Sequence, residues 1–306
     1  MELIRGSYNL SPRHRGCVTT IGNFDGVHCG HQAVLQQVTS KAKELRLPSQ
    51  VVIFEPLPRE FFSGPKAPAR LTRFREKLQV FQHCAIDRLL CLRFNQALAD
   101  MLPERFIKQI LVEGLGVRYL VVGDDFQFGR DRKGNYAILQ AAGREFGFEV
   151  THMPSFVIDG KRASSTLIRH ALQRGDLETA RRFLGRPYRI SGRVVQGERL
   201  GRKLGFPTAN VRLGRQVSPV NGVFAAKVHG LNNYPLNAVV NIGTRPTVNG
   251  TDKRIEVHLL DFTDEIYGWH LHVDLLHKLR DETRFDSLEA LKTQIQRDVA
   301  MARNAL

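Results

Sequence analysis

Cys17-Val18-Thr19-Thr20-Ile21-Gly22-Asn23-Phe24-Asp25-Gly26-Val27-His28-Cys29-Gly30-His31 decides the reading of the fold. The β-branched apolar run from Cys17 to Gly22 reads as a buried strand. A glycine-rich turn follows. From about Gly30, Val34, Leu35, Val38, Ala42 and Leu45 recur at helical spacing. Strand, glycine turn and helix in that order open a βαβ unit. Downstream, Val51 to Phe54 reads as a strand that Pro56 and Pro58 stop. Leu71 to His83 reads as a helix, Leu89 to Leu92 as a strand, and a helix runs from Pro103 to about Glu113. Tyr119 to Val122 is again strand-like, Asn135 to Phe146 helical, and Phe148 to His152 strand-like. This alternation predicts an α/β fold: a Rossmann-like domain with a parallel sheet.

Two short helices follow between Ser165 and Leu184, split by Gly175-Asp176, a helix stop and then an N-cap. Gly185-Arg186-Pro187 marks the expected boundary, giving domains 1–185 and 186–306. Beyond it Tyr188–Val195, Val223–Val228, Ala238–Ile242, Ile255–Phe262 and Leu271–Leu279 read as strands with no helical pattern between them. That texture predicts a C-terminal antiparallel β-barrel. One amphipathic terminal helix closes the chain, carrying Leu288, Leu291, Ile295 and Val299, capped by Asp286 or Ser287.

The 306 residues include 45 Lys and Arg against 30 Asp and Glu, a net charge of +15. Anionic partners are therefore favoured: nucleotides, nucleic acid or an acidic membrane surface. The excess is spread through the chain, so a nucleotide-sized substrate accounts for it. The four cysteines form no Cys-x-x-Cys pair, which suits reduced thiols in a cytoplasmic protein. The first residues lack an apolar signal core, and no run of about 18 apolar residues occurs, so no membrane span is expected.

A glycine turn between a strand and a helix lets backbone N–H groups approach phosphate, and the positive helix end adds attraction. His28 and His31 share a face of the first helical turn and can donate hydrogen bonds to a phosphate gaining charge in a transition state. Gly30 between them leaves room for a nucleotide against the backbone. The plainer readings are two surface histidines, or His28 and Cys29 as metal ligands, although no second ligand pair at matching spacing appears. Arg162-Ala163-Ser164-Ser165-Thr166-Leu167-Ile168-Arg169 sets three hydroxyls and a cation at a predicted helix start. It reads either as an ordinary helix cap or as a cradle for nucleotide phosphates, with Arg169 neutralising a leaving pyrophosphate.

In the second half, Gly192 to Asn210 is rich in glycine and cations without a Walker A ending; Gly201, Lys203 and Gly205 could cradle phosphate. Thr208 and Asn210 face one way on an extended segment, as two oxygen ligands for Mg²⁺ or as parts of a turn with Pro207. Glu256 shares a strand face with His258 and Leu260. It reads as a general base in a barrel pocket or as part of a solvated face.

His28-x-Gly30-His31 with the Ser-Ser-Thr-x-Ile-Arg segment resembles the nucleotidyltransferase superfamily, and the chain over nearly its whole length resembles the bacterial bifunctional riboflavin kinase/FMN adenylyltransferases (FAD synthetases). Phe54-Glu55-Pro56-Leu57-Pro58, Gly123 to Gly129, Gly205 to Asn210, Asn241 to Thr247 and the Glu256 strand match as well. The resemblance implies an FMN adenylyltransferase in domain 1–185 and a riboflavin kinase in domain 186–306. It implies that His28 and His31 stabilise a transferring α-phosphoryl group, beside a loop of Gly22, Asn23, Phe24, Asp25 and Gly30. Ser164, Ser165, Thr166 and Arg169 would hold the other phosphates. Pro56 and Pro58 would flank flavin, and Gly123 and Asp125 would bind nucleotide and flavin. In the second domain it implies Thr208 and Asn210 on Mg²⁺ with ATP, Glu256 activating the riboflavin 5′-hydroxyl, and Arg280 in a flavin-contacting segment.

Cys29, Ala163 and Gln196 depart from the residues more usual in the family, at positions assigned no chemistry. ATP, riboflavin and FMN are the expected partners, without nucleic acid or membrane, and a monomer is favoured. Class I aminoacyl-tRNA synthetases share the His-x-Gly-His element, but no Lys-Met-Ser-Lys-Ser-type loop or anticodon module is present here. A flavin carrier without turnover is the third reading.

Overall fold

The computed structural model describes residues 1–197, 200–212, 217–247 and 250–306. The chain divides into two compact units, Met1–Pro68 with Arg73–Ser164, and Ala69–Thr72 with Ser165–Leu306. In the first, β1 (Glu2–Arg5) precedes β2 (Cys17–Ile21), α1 (Cys29–Leu45), β3 (Ser49–Glu55), α2 (Pro58–Ser63), α3 (Phe74–His83), β4 (Arg88–Arg93), α4 (Gln96–Ala99) and α5 (Pro103–Phe106). Then come β5 (Val117–Gly123), α6 (Tyr136–Phe146), β6 (Glu149–Met153) and a small hairpin of β7 (Val157–Ile158) and β8 (Lys161–Arg162).

The main sheet is parallel throughout, in the order β1-β4-β3-β2-β5-β6. Its strands are apolar on both faces because helices cover both. Val52, Leu90, Leu120 and Val122 pack with Ile107, Leu111 and Leu139, whereas Val51, Ile53 and Leu89 pack with Leu35 and Phe81. The chain steps outward from β2 through β3 to β4, then returns to place β5 on the far side of β2. The strand order therefore reverses between β2 and β5. A crevice opens beyond the carboxyl ends of strands at such a point, where open α/β sheets bind ligands. The histidine loop leaves β2 and the Gly123 loop leaves β5.

The second unit begins with α7 (Ser165–Gln173) and α8 (Leu177–Leu184), with Asp176 capping α8 by accepting from the Thr179 N–H at 2.9 Å. It continues through β9 (Tyr188–Val195), α9 (Leu200–Lys203), β10 (Ala209–Arg212), β11 (Gly222–His229), β12 (Leu236–Thr247), β13 (Gly250–Leu259), β14 (His270–Arg280) and α10 (Leu288–Ala305). The strands close into an antiparallel barrel, β10-β13-β12-β11-β14-β9. Val211, Phe224, Ala226, Val240, Ile242, Ile255 and Val257 are buried on one strand face and fill it. On the opposite, outer face Val223, Ala225 and Val239 pack against Ala302 and Val299 of α10. Ser287 is the cap of that helix.

The expected element types appear, with shifted ends. The helix expected from Leu71 starts at Phe74, where Glu76 accepts from the Arg73 N–H at 2.6 Å and closes the first turn. The helix expected from Pro103 to Glu113 is α-helical only to Phe106 and continues as a π-helix over Ile107–Gly114. Those wider turns bury Ile107, Ile110 and Leu111 against the sheet. Strands β1 and β10 and the β7–β8 hairpin carry two to four residues each, too few to display a period. Short α9 corrects the expectation of no helix between the barrel strands.

Candidate active sites

The β2–α1 loop is held by unusual backbone and by the core. Phe24, Gly26 and Val27 have φ of 48°, 83° and 40°. Left-handed backbone is costly for Phe and for β-branched Val. Burial compensates: Phe24 is 2% exposed and packs edge-on against Phe81, with ring centres 5.6 Å apart. Lys77, fully buried on α3, donates from Nζ to the Asn23 carbonyl at 2.8 Å. Sequence reading missed Lys77, yet it shares a helical stripe with Phe74, Leu78 and Phe81, and a cation in an apolar stripe is a detectable signal.

His28 is the N-cap of α1, its Nδ1 accepting from the His31 N–H at 3.4 Å. The two imidazoles stack at 3.6 Å and 22°, and His31 lies 4.9 Å from the Phe24 ring. A Cβ at Gly30 would meet His28 Cε1 at 3.2 Å, His28 Nδ1 at 3.3 Å and Phe156 Cβ at 3.4 Å. A side chain at Gly30 would thus press on the His28 ring. The glycine serves the imidazole first.

The loop after β5 exposes Asp124 and Asp125 and turns Phe128 into the core. Asp124 accepts from Ser155 Oγ at 2.6 Å, and Arg162 reaches Asp124 at 3.4 Å and Asp125 at 2.7 Å. The Ser155 hydrogen bond, aided by Arg162, holds the Asp124 carboxyl below its ordinary range. Pro56 follows a cis Glu55–Pro56 bond and is exposed; Pro58 opens α2. Ser164 and Ser165 are half-buried and Thr166 is exposed at the start of α7. Arg169, expected to face phosphate, is 8% exposed, and its Nε donates to the Ala69 carbonyl at 2.6 Å. That bond ties the Ala69–Thr72 segment to α7.

The barrel unit contains a cavity of about 240 Å³. Thr208, Asn210, Asn241, Glu256, Arg280 and Phe285 are among its lining residues. Glu256 does not point into the barrel interior. It shares a face with the residues under α10, so the cavity lies on the outer wall, roofed by Leu291 and Ile295. Register places Asn210 opposite Glu256 on β10 and β13, and Glu256 opposite Asn241 on β13 and β12. Directly opposed side chains on one face have Cβ atoms about 4.5–5.5 Å apart.

The Asn241 Oδ1 is buried with no hydrogen-bond partner among the described residues. His258 Nδ1 lies 2.8 Å from the Pro207 carbonyl, which pins the turn before β10. At Gly201 a Cβ would collide with the Phe206 carbonyl oxygen, so the α9 turn can close there only without a side chain. Gly205 follows at φ 87°. Glu198, Arg199 and the Lys203 side chain lie outside the described residues.

Arg280 enters the cavity from the end of β14 and is locked by Asp298 of α10. Nε donates at 2.9 and 3.1 Å, and Nη2 at 2.8 Å. Gln294 adds a donor to Asp298 at 2.9 Å, and Phe285 lies under the guanidinium at 5.6 Å. Sequence reading missed Asp298, although it shares the apolar stripe of Leu291 and Ile295. Among the described residues no group of three or more His, Cys, Asp or Glu could hold a metal, and no helix is long and apolar enough to cross a membrane.

Two family models match in tandem, FAD synthetase over residues 10–167 and riboflavin kinase over residues 184–306, which defines the class: an FAD synthetase unit joined to a riboflavin kinase unit. Proteins described as bifunctional riboflavin kinase/FMN adenylyltransferase match nearly end to end. That of Escherichia coli K12 is 52% identical over 99% of this chain and 97% of its own length. That of Haemophilus influenzae is 50% identical over 99% and 98%. This chain belongs to the bifunctional riboflavin kinase/FMN adenylyltransferase family. A crystal structure described as a macrolide-efflux protein from Streptococcus pneumoniae is 28% identical, covers 99% of both chains and superposes with a TM-score of 0.86.

Proposed function

We infer that this chain makes FAD in two steps at two sites. Residues 186–306 transfer the γ-phosphoryl group of ATP to the 5′-hydroxyl of riboflavin, giving FMN and ADP. Residues 1–185 transfer AMP from a second ATP to the FMN phosphate, giving FAD and pyrophosphate. The observation that carries the reading is the single row Asn210, Glu256 and Asn241 on one cavity wall, with one carboxylate between two amides.

In the barrel, Glu256 accepts the proton of the 5′-hydroxyl as that oxygen attacks the γ-phosphorus. The bond to the β-phosphate bridging oxygen breaks, and ADP leaves. Positioning does most of the remaining work in phosphoryl transfer. Gly201, Lys203, Gly205 and Pro207 belong to the turn that cradles phosphate. Thr208 and Asn210 present two neutral side chains with oxygen donors at the cavity edge. That set suits Mg²⁺, which takes few protein ligands and completes its shell with water and phosphate. When bound, Mg²⁺ supplies neutralisation of phosphate charge. Arg280 contacts the flavin, held in place by Asp298.

In the parallel-sheet unit, a phosphate oxygen of FMN attacks the α-phosphorus, and the bond to pyrophosphate breaks. The nucleophile is already anionic, so no general base is needed. His28 and His31 donate to the charge developing on the α-phosphoryl oxygens. Phe24 packs on the His31 ring, Lys77 holds the loop at the Asn23 carbonyl and His28 caps α1, so little reorganisation remains for the transition state. Gly22, Asn23, Phe24, Asp25 and Gly30 form that loop, and Gly123 and Asp125 face nucleotide and flavin. Pro56 and Pro58 flank the flavin ring. Ser164, with Ser165 and Thr166 at the start of α7, holds the remaining phosphates, and Arg169, buried against the Ala69 carbonyl, braces that helix. The protein acts on small molecules as a cytoplasmic monomer, without nucleic acid or membrane.

Incubation with riboflavin, ATP and Mg²⁺, with chromatography over time, tests the reading. FMN appears first and FAD follows. Absence of both products overturns it, and FMN without FAD overturns the adenylylating half.

A further inference from the structure

Asn241 has no role in the reaction as derived so far, yet its position is constrained. It sits on β12, directly opposite Glu256, on the face that lines the cavity. Its Oδ1 is buried with no hydrogen-bond partner among the described residues. A buried acceptor left unmet costs roughly 1–3 kcal/mol, so the Asn241 amide gains by turning its oxygen to a donor that arrives in the cavity it lines.

The order of strands says where that donor lies. From β10 through β13 and β12 to β11, the wall reads Asn210, Glu256, Asn241 and Val223. The nucleotide end is at Thr208 and Asn210. The attacking hydroxyl is at Glu256. One strand further from the nucleotide is Asn241, and beyond it the wall turns apolar with Val223 and Val239 under Leu291 and Ile295. A substrate laid along this wall presents its attacked hydroxyl, then a further polar group about one strand spacing (~4.8 Å) away, then an apolar ring. In an extended polyol that spacing reaches the hydroxyl one or two carbons from the reacting one.

We propose that Asn241 reads the ribityl chain of the alcohol substrate: its side-chain oxygen accepts from the hydroxyl adjacent to the one phosphorylated, the 4′-hydroxyl. It is thereby a specificity-determining residue for polyol substrates. The inference rests on the kinase reading of this cavity.

The test compares kcat/KM for riboflavin and for its 2′-, 3′- and 4′-deoxy analogues, with ATP and Mg²⁺, in the wild-type protein, Asn241→Ala and Asn241→Ser. The wild type prefers riboflavin to the 4′-deoxy analogue by roughly 10- to 100-fold, the effect of one buried hydrogen bond with its desolvated partner. In Asn241→Ala that preference collapses to within about 3-fold, while discrimination against the 2′-deoxy analogue is unchanged. Asn241→Ser, which keeps an oxygen, retains part of it. Because each variant is compared with itself on four substrates, loss of folded protein cancels from the ratio.

An Asn241→Ala variant that still discriminates as the wild type does, or that loses activity equally on every analogue, overturns the proposal. A wild type that phosphorylates none of the four overturns the kinase reading and this inference with it. Those two failures are told apart by the wild-type activity alone.

Discussion

Replacing Asp298 with Ala removes the clamp behind Arg280. Asp298 is buried, its side chain 3% exposed, and that of Arg280 is 21% exposed. Three donor contacts from the guanidinium and one from Gln294 end on its two oxygens. Breaking a buried ion pair by removing one partner costs about 3–5 kcal/mol, because the other charge is left uncompensated. Arg280 reaches some solvent once released, which screens its charge, so the expected loss is near the lower end, about 3 kcal/mol.

For a domain of this size a loss of ~1 kcal/mol lowers Tm by roughly 3–4 °C, giving a fall of about 10 °C. The free guanidinium also leaves the cavity, so KM for riboflavin rises by roughly an order of magnitude, in keeping with the ~1.5–3 kcal/mol of a charged hydrogen bond. Adenylylation of supplied FMN continues. Asp298→Asn keeps the packing and one acceptor, and falls between. Calorimetry with separate assays of the two reactions measures all of this. A Tm within about 2 °C of wild type together with an unchanged KM for riboflavin refutes the clamp.

His28→Ala lowers FAD formation from FMN by about 10²–10³-fold, the effect of removing one preorganised donor, and leaves FMN formation intact. Glu256→Gln does the converse, and equal loss of both products in either variant would contradict the separation of sites. Gly30→Ala sets a methyl against the His28 ring and Phe156 and lowers FAD formation by about 10-fold or more, while Tm moves little; steady-state kinetics beside a melting curve decides this.

Stability also depends on pH. Burial, then the nearby His270, Arg189 and His229, pushes His272 below its ordinary value, although Asp274 opposes them. The folded protein then binds fewer protons here than the unfolded chain. Stability linked to His272 is complete above about pH 6.5 and declines as pH falls below it. His272→Gln flattens that slope in melting curves recorded between about pH 5.5 and 7. An unaltered slope would remove His272 as its source.

Much of this was legible in the chain itself. The strand–glycine turn–helix order at Cys17 to Leu45 and the α-to-β change of texture after Gly185 announced the two kinds of fold. His28, His31, Thr208, Asn210 and Glu256 stand out by residue type and local spacing as candidates beside plainer readings, and the family resemblance supplies their roles. Those signals are local, since helical and strand periods repeat within a few residues and caps and turns act over three or four. The motif at Ser164 to Arg169 was visible in the same way, but the burial of Arg169 against Ala69 was not, because that contact spans a hundred positions.

Tertiary structure alone decided which side chains meet. Asn241 and Asp298 became part of a site only when strand register set one opposite Glu256 and α10 brought the other to Arg280. It also put the cavity on the outer wall of the barrel, since a one-residue change of register would turn Glu256 inward. Register and helix docking are settled by the burial of Val223, Val239 and Ala302 together, over separations that no local pattern records.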